Sequence, residues 1–146
     1  MKFYSKLLIG LFTLLYLSAC SSGPQPIEYG KDECYRCNMT IMDNKHAAET
    51  VTSKGKVYKY DSIECMIRYI AADTNIEYSH LLISDFANPG ELVNAQVSTY
   101  LISQNLPSPM GAFLTGFASD EIAQLKQEEL GGVVYSWEDV QATINN

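Results

Sequence analysis

Residues 47–72 read Ala-Ala-Glu-Thr-Val-Thr-Ser, Lys-Gly, Lys-Val-Tyr-Lys-Tyr, then Asp-Ser-Ile-Glu-Cys-Met-Ile-Arg-Tyr-Ile-Ala-Ala. The first seven residues form a strand-like run. Lys54-Gly55 marks a turn, and the β-favouring Val57, Tyr58 and Tyr60 make a second strand. Asp61 or Ser62 then caps a helix that runs to about Ala72. Ile63, Met66, Ile67 and Ile70 recur at helical spacing and give it one apolar face. A third strand follows at 81–84. The first half therefore reads β-β-α-β.

The order repeats downstream. Residues 95–103 alternate like a strand. A proline-rich loop, Leu106-Pro-Ser-Pro-Met-Gly111, leads into a short strand at 112–117. Ser119 caps an acid-led helix to Leu130 with Ile122 and Leu125 inward, and Gly131-Gly132 stops it. Residues 133–135 make the last strand, and Ser136 opens a terminal helix. Two β-β-α-β halves, about 30–88 and 92–146, give an α+β domain over 30–146 in place of a doubly wound sheet.

The preceding residues read as a targeting segment. Lys2 and Lys6 are followed by an apolar run too short to span a membrane comfortably, which ends in Leu17-Ser-Ala-Cys20. This predicts a lipoprotein signal peptide over 1–19, lipidation of the Cys20 thiol, and a flexible tether over 20–29 whose Ser/Pro/Gly-rich part, Ser21–Pro26, cannot pack. Acyl chains there would anchor the domain at a membrane and place it in the periplasm. The segment takes two of the ten basic residues with it, leaving eight against seventeen acids. That balance argues against nucleic acid as a partner.

Cys34-Tyr-Arg-Cys37-Asn-Met39 carries the chemistry. Thiolate and thioether donors suit a soft ion, Cu(I) above all. In an extended segment Cys37 and Met39, two apart, point to one side. On a turn Cys34 converges with them. Met110, held between Pro109 and Gly111 on an exposed loop, is a further donor. His46 is a possible accessory ligand, whereas His80 and Met42 read as edge or rim residues. Cys65 reads as a buried free thiol. Three cysteines beyond Cys20 are an odd number, which argues against a purely structural disulfide framework. Two other readings of Cys34 and Cys37 stay open: a thiol–disulfide oxidoreductase, and a disulfide clamp in a structural lipoprotein. The first is weakened because no long helix pattern follows the motif.

The succession of a lipobox, Cys34-x-x-Cys37-x-Met39, Gly55-x-x-Tyr-x-Tyr-Asp-Ser-Ile-x-Cys-Met66, Ser108-Pro-Met-Gly-Ala112 and Gly131-Gly-x-Val134 resembles the NosL family. These are lipoprotein copper chaperones that serve the copper centre of nitrous oxide reductase. The resemblance implies a carrier and not an enzyme, with Cu(I) as cargo and a client cuproprotein, nitrous oxide reductase, as partner. It implies Cys37, Met39 and Met110 as ligands, with Cys34 less firmly placed. It also implies a pair of β-β-α-β units similar to the organomercurial lyase fold.

Overall fold

The computed structural model describes residues 23–146. The leader, the lipobox and Cys20 lie outside the described residues. Strand β1 (Ala48–Thr52) pairs antiparallel with β2 (Val57–Tyr60), placing Ala48 opposite Tyr60. Helix α1 (Ile63–Ala72) then carries the chain over to β3 (Tyr78–Ser84), which pairs with the other side of β1. A three-residue strand, β4 (Leu92–Asn94), joins the free edge of β3. After a turn of 3-10 helix at Ala95–Val97, β5 (Thr99–Ile102) pairs with β6 (Leu114–Phe117). Helix α2 (Asp120–Leu130) leads to β7 (Val133–Tyr135) on the other side of β5, and α3 (Trp137–Asn145) closes the chain.

The sheets run β2-β1-β3-β4 and β6-β5-β7. β1 and β5 play the same part, each flanked by its hairpin partner and by the strand after the helix, while β4, at the start of the second half, adds to the edge of the first sheet. The two halves are one body, because a single core draws Tyr60, Ile63, Met66, Ile67 and Ile83 from the first and Tyr100, Leu114, Trp137 and Val140 from the second. Each large aliphatic side chain buried there contributes about 1.5–3 kcal/mol. The seam is closest at Gly116 on β6. A Cβ there would collide with Ile83 Cδ1 and lie 3.0 Å from Ile63 Cδ1. Among the described residues no helix is long and apolar enough to cross a membrane.

Helix α1 begins where its sequence says. Ser62 is extended and its side chain accepts from the Cys65 N–H, while Glu64 complements the positive N-terminus. Three of the four apolar-face residues, Ile63, Met66 and Ile67, are buried. Two expectations fail. Leu125 of α2 is exposed, and Ala123 takes the buried position beside Phe117 and Leu101. The run 95–103 is not one strand either, since the Asn94 side chain caps the Gln96 N–H and turns the chain before β5 begins.

Candidate metal centre

Residues 30–41 fold into a narrow hairpin. Gly30 N–H donates to Ile41 O at 2.8 Å, Ile41 N–H to Asp32 O at 2.9 Å, and Cys34 N–H to Met39 O at 2.8 Å. Asn38, with φ 61°, reverses the tip. The hairpin is fastened to β2 from both sides. Tyr35 N–H donates to Lys59 O at 2.8 Å, and Lys59 Nζ reaches Asp32 Oδ2 at 2.7 Å. The Tyr35 ring packs on Tyr58 at 4.4 Å between centroids and edge-on to Tyr69 at 5.2 Å, with Lys56 Nζ 4.6 Å from the Tyr58 ring centre.

This docking sets the hairpin tip against the start of α1. The sulfurs of Cys34, Cys37 and Cys65 and a carboxylate oxygen of Asp61 all lie within 4.8 Å of one another. All three cysteines are free thiols. Cys34, Cys65 and Asp61 are buried, and Cys37 is half-buried, so the cluster has one accessible side. Cys37 Sγ donates to Asp61 Oδ1 at 3.5 Å.

The thiols are not equivalent. Cys34 Sγ accepts from the Cys65 thiol, and backbone N–H groups of Asp61 and Cys37 also point at it. Together these outweigh burial and hold its pKa down to about 6. Cys65 is pushed far above an ordinary thiol by the hydrogen bond it gives to Cys34 and by burial. Burial raises Cys37 too, against the N–H of Met39 that favours its thiolate. One thiolate is thus poised at neutral pH beside two thiols, at a helix N-terminus. Soft anionic sulfur of this kind suits a thiophilic ion.

The structure places the sequence-derived residues unevenly. Cys34 and Cys37 are in the cluster. Met39 is half-exposed beside it, because the left-handed Asn38 breaks the extended geometry that was to align it with Cys37. Met110 lies in the loop 108–112, which is strapped to the first turn of α1. Ser108 Oγ donates to buried Glu64 Oε1 at 2.5 Å, and Ala112 N–H donates to the same oxygen at 3.4 Å. Met110 thereby sits at the end of α1 that carries Cys65, and both Met110 and Cys37 pack at the margin of the main core. His46 stands outside the cluster. It is buried, with Nδ1 2.8 Å from Asp43 Oδ2 and Nε2 3.2 Å from Thr115 Oγ1, so both ring nitrogens are engaged. His80, itself exposed, bonds through Nδ1 to Ser79 Oγ on β3. Cys65 is the buried free thiol expected from the sequence. What the sequence did not reveal is that it and Asp61 stand beside the two hairpin cysteines.

Fold and cluster together define a class: a small α+β protein presenting grouped thiols suited to a soft metal ion. The chain belongs to the NosL family, whose model matches residues 26–144. It is similar to the copper-binding lipoprotein NosL of Stutzerimonas stutzeri, 24% identical over 129 residues that cover 82% of this chain and 68% of the relative. Its fold is that of the copper chaperone NosL from Shewanella denitrificans. That crystal structure superposes with a TM-score of 0.69 at 20% identity, over 80% of this chain and 94% of the other. Both relatives are named as metal-carrying proteins, not as enzymes.

Proposed function

We propose that this protein is a copper chaperone anchored by a lipidated Cys20 to a membrane and facing the periplasm. It carries Cu(I) on sulfur donors, Cys37, Met110, Met39 and Cys34, and passes the ion to a client cuproprotein, nitrous oxide reductase. The observation that carries this reading is the three-thiol cluster with one open side. Closed, it could not exchange ligands; fully open, it would not protect a soft ion from water and oxidant. The copper-binding relatives support the choice of metal. The lipobox supports the anchor, and the family resemblance supports the client.

Delivery needs no catalytic constellation. The ion enters through the open side, and Met39 and Met110, as neutral thioethers, would bind it weakly and exchange fast. It settles on the thiolates and leaves by the same route when a client offers stronger donors. Competition with bicinchoninate tests the assignment: one Cu(I) per chain held against the chelator, with Cys37→Ala and Met110→Ala each weakening retention. Retention unchanged in both variants would remove it.

A further inference from the structure

We propose that Cys65 is a third thiolate ligand, and that the seat is a Cys34–Cys37–Cys65 trithiolate for monovalent thiophilic ions, Ag(I) as well as Cu(I). This rests on the copper reading above and adds to it a ligand and a selectivity.

Three observations carry it. Cys65 Sγ lies within 4.8 Å of both hairpin sulfurs. Metal–sulfur bonds of about 2.3 Å leave sulfurs around one ion about 4 Å apart, so the three are already at coordinating distance. The Cys65 side chain is also fully buried and turned to the hairpin sulfurs rather than to solvent. An ion seated among them needs no rotation of the helix. Finally, Cys65 is set differently from its partners. It occupies the first turn of a capped, core-packed helix, whereas Cys34 and Cys37 sit on a turn. A rigid donor fixes the seat, and the half-buried Cys37 on the open side is free to let go first.

The bonds balance simply. Each S–H that meets the ion becomes S–Cu, and its proton leaves to water through the open side; no electron moves. The resulting negative charge is buried, but backbone N–H groups of Asp61, Cys37 and Met39 face these sulfurs and the N-terminus of α1 lies behind them. Three thiolates suit a soft monovalent ion and give a hard, oxygen-seeking divalent ion such as Mg(II) or Ca(II) nothing it prefers.

The test uses the full chain loaded with one equivalent of Ag(I), and separately of Cu(I). Proton–silver coupling in the NMR spectrum of the wild type reports directly which cysteines are bonded. We expect coupling to the β-protons of all three, including Cys65. X-ray absorption of the Cu(I) form should lose one sulfur in Cys65→Ser, with retention against bicinchoninate reduced at least 100-fold. Coupling at Cys34 and Cys37 alone, or full retention in Cys65→Ser, overturns the proposal while leaving copper carriage standing. A wild type that yields all its Cu(I) to the chelator removes copper carriage itself. The wild-type coupling decides the matter even if the serine variant does not fold.

Discussion

Ser108 Oγ donates to Glu64 Oε1 across 44 residues, and both side chains are buried. This bond joins the proline-flanked loop of Met110 to the first turn of the helix that carries Cys65. Two distant stretches, one bearing Met110 and one bearing Cys65, are thereby held in one frame. Among the described residues the other carboxylate oxygen of Glu64 has no partner, and the Ser108 hydroxyl and the Ala112 N–H are the donors to the first. Ser108→Ala leaves a buried acid short of a donor and should cost about 1–3 kcal/mol. Urea unfolding of the metal-free protein checks this. Chelator competition should show weaker Cu(I) retention as the Met110 loop loosens.

The thiols give a pH dependence. In the folded chain Cys34 titrates at about 6, against 9.0 for an ordinary thiol. A depressed acid adds stability that is complete above its unfolded value and is lost as pH falls through its folded value. Metal-free protein should therefore gain stability from pH 6 towards pH 9. Above that, the raised Cys65 and Cys37 reverse the sign, since the unfolded chain sheds protons that the folded one keeps. Thiolate absorbance near 240 nm should show one ionisation near pH 6 in the wild type, displaced upward in Cys65→Ala. A single step at the ordinary thiol value would contradict the geometry.

Much of this was legible in the sequence because it rests on local rules. Ser62 and Ser119 cap helices, Gly131 stops one, and Ile63, Met66 and Ile67 fall on one face. What stayed hidden depends on other parts of the chain. Strand β4 is three residues long and exists because the edge of β3 accepts it. Met39 left the alignment with Cys37 because Asn38 adopts a left-handed conformation, which few residues signal. Cys65 is the buried free thiol its helical periodicity predicts, but periodicity says only which face is inward, not that a hairpin about 30 residues earlier ends against it. That docking is decided by Lys59 and the tyrosines of β2 and α1.

The Lys59–Asp32 pair is partly buried, and Lys59 Nζ also donates to Pro26 O at 2.8 Å. It therefore fixes the hairpin and the segment before it, and should outweigh a surface ion pair of about 0–1 kcal/mol. Lys59→Met keeps the apolar stem and removes both bonds. We expect amide exchange over residues 30–41 to accelerate at least tenfold, with strands β5–β7 unchanged. Uniform acceleration would instead mean a global loss of stability.

Two adjacent glycines end α2 and answer differently to the same change. Gly131 has φ 70°, and nothing lies within 4 Å of where its Cβ would be. With ψ −170° the backbone lies in a region essentially reserved for glycine, so alanine there meets no atom but costs about 1–3 kcal/mol in backbone strain. Gly132 has φ 101°, and a Cβ would run into the Ile102 carbonyl oxygen and crowd Ser103 Cα at 2.9 Å. Those are backbone atoms of β5 and the residue after it, which cannot turn aside as a side chain would. Gly132→Ala must push β7 away from the central strand of its sheet, where Val133 pairs with Ile102. Thermal unfolding should show a loss for both variants, and the larger one for Gly132→Ala, where a backbone clash adds to the strain. Because β7 lies away from the thiols, Cu(I) retention by whatever fraction remains folded should match the wild type.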